Sequence, residues 1–282
     1  MHDRPAPPFA RATTPVDRTV APRAFDVPYG DGLYRRRIRL VNLTDTHAAG
    51  ELEDDFHHFR VDLRHDGSTI LAARGRFLRG PWTVCADAPE PLRAIESRPL
   101  TTSSTGIGAY TSARANCTHL FDLAGLVVAH ATRADAERLY DIEVTDPTGE
   151  RRSSHATLWR DGTVVLAWRL ERGEIVEPEP WPDAPLRRGF IAWAEAHLDA
   201  DTCEAAIALR RVIDIAIGRG GDLDAVPGPF AVFELMQGKC QAFTPGKVEI
   251  GRRNHGSARH FRDHPELLLA DMHLRDAAAL AE

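Results

Sequence analysis

The sequence has few residues of several reactive types, and each scarcity argues against a class of protein. Lysine occurs only at Lys239 and Lys247, so 33 of the 35 basic side chains are arginines, which stay protonated and cannot act as amine nucleophiles. Four cysteines in 282 residues are too few for a disulfide scaffold, and none forms a Cys-x-x-Cys pair. We therefore expect a reduced, cytoplasmic protein.

Long hydrophobic runs and an excess of positive charge are also absent. No stretch approaches the roughly 18 apolar residues of a membrane span, and the first residues contain no hydrophobic signal region. The formal net charge of −6 does not favour binding to a phosphate backbone. Neither a dinucleotide fingerprint, a Gly-x-Ser-x-Gly elbow nor a His-Glu-x-x-His helix occurs. We expect a small-molecule partner, with no nucleic acid and no membrane.

The composition does support a folded core, since 43% of the residues are hydrophobic and 27% are charged. Residues 1–24 contain five prolines and no apolar periodicity, which predicts a disordered tail. Residues 25–139 are predicted to form an α+β module, and residues 140–282 a β-meander with helices that extend the module or cover its site. The expected fold class is α+β, with an antiparallel sheet and helices packed on one of its faces.

Alternating polar and apolar residues predict the strands of the first half. A first strand includes Arg35–Leu40, with its arginines on the solvent side. The segment Glu53–Gly67 alternates up to an Asp-Gly turn and predicts a single strand, whose hairpin partner is Ser68–Arg79. The core-facing side of this strand is predicted to carry Asp55, His57, Phe59, Val61 and Leu63. Its solvated side is predicted to carry His58, Arg60, Asp62 and Arg64.

Helical periodicity and capping residues predict four helices, in addition to a short helix with prolines behind Cys85 in Pro81–Ser97. Asn116 is the expected N-cap of a helix within Ala115–Tyr140, and Asp201 caps Asp201–Arg219 in a capping box with Glu204. Further helices are predicted over Arg187–Leu198 and His264–Leu280. Between the helices, Tyr140–Pro178 is predicted to form a meander of three or four strands joined by turns.

The residues of greatest chemical interest surround Cys117. This thiol lies at a predicted helix start, where free backbone N–H groups favour the thiolate. His119 follows two residues later, and Cys85 lies at another strand-to-helix junction. Positions i and i+2 of a regular helix do not face each other, so Cys117 and His119 can bind the same metal only if the helix starts later. Otherwise His119 is structural or belongs to a neighbouring shell.

Together with the strand carrying Asp55 and His57, these residues form a candidate pocket. Thiolate, imidazole and carboxylate ligands suit zinc or iron. The expected metal ligands are Asp55, His57, Cys85, Cys117 and His119. Three ligands with an open position would indicate a catalytic site and four closed ligands a structural one, and the sequence leaves both open. Cys203 is expected to be structural, whereas the role of Cys240 stays undecided.

The segment from about Arg35 to Arg133, with its Cys-Thr-His-Leu-x-x-Leu motif at Cys117–Leu123, resembles a bacterial family known only as a domain of unknown function. This resemblance implies no activity. A weaker similarity is to iron–sulfur scaffold proteins of the NifU and IscU type. There Asp55, Cys85 and Cys117 match ligand positions, while Glu53 and Asn116 stand where that family has a cysteine and a histidine. This similarity implies a related fold for the first half.

We expect a metal- or thiol-dependent enzyme of lyase or hydrolase type, acting in the cytoplasm on a small organic molecule. Its expected catalytic residues are Cys117 and His119, and its expected cofactor is zinc or iron. The alternative is a non-enzymatic carrier or assembly protein for iron or an iron–sulfur cluster. A structural zinc domain in a binding protein is a third hypothesis.

Overall fold

The computed structural model of the protein describes residues 27–270. The predicted tail, residues 1–24, lies outside the described residues. Eight strands form an antiparallel sheet in the order β4-β3-β2-β1-β5-β6-β7-β8. The strands are β1 (Leu33–Thr44), β2 (His47–Asp54), β3 (His58–His65), β4 (Ile70–Arg79), β5 (Glu137–Thr145), β6 (Ser153–Arg160), β7 (Thr163–Glu171) and β8 (Glu174–Glu177). The helices are α1 (Thr118–His130), α2 (Phe190–His197), α3 (Ala200–Ala216) and the short α4 (Phe233–Met236).

The α+β class and the antiparallel sheet are therefore confirmed. The chain divides into two compact units. The described part of the first unit comprises residues 27–37, 139–221 and 259–270. The second unit comprises residues 38–138 and 222–258, and it contains all five predicted site residues. Within residues 27–270, no helix has the length and apolar character needed to cross a membrane.

In the second unit, the segment predicted as one strand from Glu53 to Gly67 is instead a strand end, a turn and a second strand. β2 ends at Asp54 and β3 begins at His58, so Asp55 and His57 lie in the connecting turn. β3 pairs antiparallel with both β2 and β4, which confirms the predicted hairpin partner. Polar and apolar residues alternate both before and after this short turn. The pattern therefore predicts one continuous strand, because it contains no signal for the turn.

The prediction that His58, Arg60 and Asp62 are solvated is wrong, since all three are buried; Arg64 is exposed as expected. Each of these buried charges has a polar partner. His58 Nε2 lies 2.5 Å from Glu51 Oε1, and Arg60 donates to Asp62 Oδ1 at 2.6 Å. Burial of charged groups is tolerated when they are paired in this way.

Helix α1 begins at Thr118 with Cys117, not Asn116, as its N-cap, and it ends ten residues before Tyr140. The Asn116 side-chain amide instead donates to Thr111 Oγ1 and to the Ser112 carbonyl.

Helix α1 ends earlier than predicted because of a side chain of β1, Asn42. Its side-chain amide donates to the carbonyls of His130, Arg133 and Asp135 at 3.0–3.2 Å, which satisfies acceptors in and beyond the last turn of the helix.

Helix α1 packs onto β2 and β3, which places its first turn at the β2–β3 connection. Gly50 permits this close approach, and Gly125 permits another between α1 and the segment that contains Ser104. A Cβ atom on Gly50 of β2 would lie 2.5 Å from Val127 Cγ2, and one on Gly125 would lie 1.9 Å from the Ser104 carbonyl oxygen. The position of His119 in the second unit thus depends on backbone contacts that a side chain would obstruct.

In the first unit, the predicted meander is confirmed as β5 to β8. Helix α2 lies within the predicted Arg187–Leu198, and α3 begins one residue before the predicted Asp201–Arg219. The N-cap of α3 is Asp199, whose Oδ1 accepts from the amides of Asp201 and Thr202. Glu204 makes no capping box, because its Oε1 accepts from the Tyr140 hydroxyl at 2.5 Å. Residues 264–270 contain a short 3-10 turn in place of the predicted terminal helix, and residues 271–280 lie outside the described residues.

Arg35, Arg36 and Arg37 of β1 are buried, contrary to the solvent-facing position predicted for them. Two of them pair with acids of β5. Arg35 Nη2 lies 2.9 Å from Glu143 Oε1, and Arg37 Nε lies 2.6 Å from Asp141 Oδ1. The basic run of β1 is therefore an internal set of ion pairs and not a solvated face.

The contact at Gly125 yields a prediction about stability. We expect Gly125→Ala to lower the free energy of unfolding by about 1–3 kcal/mol, because the added methyl group forces α1 away from the Ser104 carbonyl. Gly108→Ala is the control, since nothing lies within 4 Å of its added Cβ. Urea unfolding of both variants measures the difference, and equal midpoints would contradict the assigned packing.

Candidate metal centre

The turn between β2 and β3 is built around the side chain of Asp54. Its Oδ1 accepts hydrogen bonds from the backbone amides of Phe56 at 2.8 Å and His57 at 2.7 Å. The Asp54 amide in turn donates to the His57 carbonyl at 2.8 Å. An aspartate that accepts from amides two and three residues later stabilises a tight turn. These bonds fix the position of a buried carboxylate.

The His57 ring lies against the same carboxylate, with Nδ1 3.1 Å from Asp54 Oδ1. Helix α1 brings the His119 ring onto the His57 ring. The two ring centroids are 3.7 Å apart, at an interplanar angle of 26°. Phe59 of β3 stacks near both imidazoles, at 6.1 Å from His57 and 6.2 Å from His119, and Phe77 packs against Phe59. The two imidazoles therefore lie beside an apolar aromatic pair.

The donor atoms of Asp54, His57 and His119 all lie within 4.8 Å of one another, and all three residues are buried. Two imidazoles with one carboxylate are a ligand set of non-haem iron(II) sites and of catalytic zinc sites. Ligand atoms that bind one ion at about 2.0–2.2 Å lie about 3–3.5 Å apart, so small side-chain rotations would bring these donors to one ion. The arrangement can hold a single divalent metal with three protein ligands.

Arg79, at the end of β4, fixes the turn from outside. Its guanidinium donates to the main-chain carbonyls of Asp54 at 2.6 Å, Asp55 at 3.1 Å and His57 at 3.3 Å. It also donates to Glu53 Oε1 at 3.2 Å and to the Ser257 carbonyl at 2.7 Å. Because the planar guanidinium satisfies five acceptors at once, it defines the backbone path that carries two of the three metal-ligand candidates.

Of the residues predicted to bind a metal, the structure brings His57 and His119 together. Asp55 is fully buried beside them but does not belong to the close donor group, which contains Asp54 instead. Asp54 was missed because a continuous strand would point its side chain away from His57. The spacing Asp-x-x-His, typical of an aspartate that closes a turn, is the sequence signal that identifies it.

Cys85 and Cys117 belong to a different group of side chains, together with Cys240. Burial raises the pKa of the Cys85 thiol to about 12 and raises the pKa of the Cys117 and Cys240 thiols. The amides of Leu120 and His119 do favour the Cys117 thiolate, as expected at a helix start, but they act more weakly on its pKa than burial does. Cys117 and His119 thus lie at the same helix start but belong to different groups: Cys117 lies with the other two cysteines, and His119 lies with Asp54 and His57.

No family model and no curated protein matches this chain. Its class therefore follows from the fold and the site alone: an α+β protein with a buried donor group of two histidines and one aspartate.

The bonds of Arg79 can be tested by substitution. We expect Arg79→Lys to lower the free energy of unfolding by about 2 kcal/mol, because an ammonium group cannot satisfy the same set of acceptors. Arg74→Lys is the matched control on the same strand, since the Arg74 side chain is 48% exposed. Denaturant unfolding reports the change, and equal losses in the two variants would show that Arg79 does not fix the turn.

Proposed function

We propose that the protein is a metal-dependent enzyme acting on a small organic molecule, with zinc or iron(II) held by Asp54, His57 and His119. The observation that carries this proposal is the convergence of three buried donor atoms within 4.8 Å. Three protein ligands leave at least one coordination position for water or substrate, which is the arrangement of catalytic sites; closed structural sites use four.

The charge of the ligand set also supports an enzyme. One carboxylate and two neutral imidazoles leave a divalent ion with a net positive charge. Such an ion, when bound, polarises a carbonyl oxygen or lowers the pKa of a bound water. This chemistry is the basis of the lyase or hydrolase reaction that we propose. We also propose that the protein acts in the cytoplasm.

The chain's own residues supply positioning in this scheme. Asp54 Oδ1 already accepts two amide hydrogens, so the carboxylate is oriented before a metal arrives. The His57 ring is oriented by its contact with Asp54 Oδ1. Phe59 and Phe77 shield one side of the imidazoles from water. A preformed site of this kind loses little entropy when it binds its ion.

A second candidate function is a carrier or assembly protein for iron or an iron–sulfur cluster. The observation that favours it concerns Cys85 and Cys117, the two cysteines that match the NifU and IscU pattern. Hydrogen bonds of Gln241 join their neighbours Val84 and Asn116 to the segment that carries Cys240. The NifU-like arrangement of the first half and membership of the Cys-Thr-His-Leu-x-x-Leu family remain part of this proposal. Acid-labile sulfide in proportion to iron in anaerobically purified protein would favour the carrier over the enzyme.

Metal titration tests the proposed function. We expect His119→Gln to weaken Zn²⁺ binding at this one site by at least about 10- to 100-fold, the loss caused by removing even an outer-shell partner of a metal site. Calorimetry on the reduced full-length protein measures the change. Binding to the unchanged protein should weaken as the pH is lowered, because protonated imidazoles do not coordinate metals. His255→Gln is the matched control, since His255 is exposed and lies outside the donor group. Identical isotherms for both variants would overturn the proposal.

A further inference from the structure

Three of the four cysteines gather in the second unit, apart from the Asp54, His57 and His119 group. Cys85 lies in the 3-10 helix Thr83–Asp87, Cys117 precedes α1, and Cys240 precedes the 3-10 helix Gln241–Phe243. They come from segments far apart in the sequence, and Cys240 follows the meander and helices of the first unit. Cys240 nevertheless packs against the apolar cluster that contains Cys85, Trp82 and Phe243.

Gln241 connects the three segments by hydrogen bonds. Its backbone amide donates to the Asn116 carbonyl at 3.0 Å, and its side-chain amide donates to the Val84 carbonyl at 3.1 Å. Each of these residues is the sequence neighbour of one of the three cysteines. Lys247 Nζ binds Gln241 Oε1 at 2.5 Å and fixes the orientation of that amide. The cysteine cluster is therefore held together by defined bonds through a buried residue.

The surroundings of the cluster favour thiolates once a cation is present. Backbone amides of Ala242 and Phe243 act on Cys240. Lys247 and Arg253 also favour the charged form of Cys85. Amide donors and nearby cations are what metal-bound thiolates require around them. Without a metal, burial in an apolar cluster that includes Trp82 and Phe243 keeps the thiols neutral.

We propose that Cys85, Cys117 and Cys240 form a second metal site, specific for a thiophilic divalent ion such as Zn²⁺, with one coordination position left for an external ligand. Three thiolates and one divalent ion carry a net charge of −1. The nearest cations that act on Cys85 are Lys247 and Arg253, which also pair with Asp87 and Asp224. Within residues 27–270, the donor group with all atoms inside 4.8 Å is that of Asp54, His57 and His119. The three sulfurs therefore have to approach one another by side-chain rotation when the ion binds.

Cobalt substitution tests this site on the reduced full-length protein under anaerobic conditions. Cobalt bound to thiolates gives an intense sulfur-to-metal charge-transfer absorption, whereas cobalt bound to histidine and carboxylate does not. We expect this band in the wild-type chain, in His119→Gln and in Cys203→Ser. We expect Cys240→Ser to weaken cobalt binding at this site at least tenfold. Cys203 is the matched control because it is a buried cysteine of α3, outside the cluster.

A measurement without substitution keeps the proposal testable if Cys240→Ser folds poorly. Zn²⁺ should slow alkylation of Cys85, Cys117 and Cys240 together in the wild-type chain, as counted by mass spectrometry, and leave the rate at Cys203 unchanged. The absence of a charge-transfer band, or equal alkylation rates with and without Zn²⁺, would overturn the site. If these cysteines instead bound iron together with an equimolar amount of sulfide, the proposal of a site for a single metal ion would also be overturned. The charge-transfer band reports on the cysteine site and is expected to persist in His119→Gln. The cysteine site and the proposed Asp54, His57 and His119 site can therefore fail independently of each other.

Discussion

The hydrogen bonds that Asp54 makes within its own turn are the constraint on which the rest of the site depends. By accepting from the amides of Phe56 and His57, its carboxylate ends β2 and sets the direction in which β3 starts. The same bonds place the carboxylate and the His57 ring side by side. Arg79 then fixes the backbone of the turn through its carbonyls. Helix α1 completes the group by adding His119.

Part of this organisation is predictable from the sequence, because it depends on local signals. The hairpin of β3 and β4, the meander and helices α2 and α3 follow from alternation, turn residues and helical periodicity. His57 and His119 are likewise identifiable as ligand candidates from their positions. What could not be predicted depends on partners distant in sequence. Asn42 satisfies the carbonyls at the end of α1, and Asp141 and Glu143 neutralise the arginines of β1.

The cysteines illustrate the same limit. A helix start predicts a thiolate at Cys117, but burial among apolar side chains, which no single segment reveals, raises its pKa. Gln241 brings Cys240 to Cys85 and Cys117 through hydrogen bonds that join three distant segments. The chain thus divides the ligands first expected in one pocket between two clusters of different chemistry. Nitrogen and oxygen donors with an open position suit catalysis, while sulfur donors select thiophilic ions.

Anomalous diffraction from crystals of the full-length protein loaded with zinc tests the central claim most directly. A peak at the zinc edge about 2.0–2.2 Å from ligand atoms of Asp54, His57 and His119 is the result that the account predicts. Full zinc occupancy elsewhere in the molecule, with no peak between these three side chains, would contradict it.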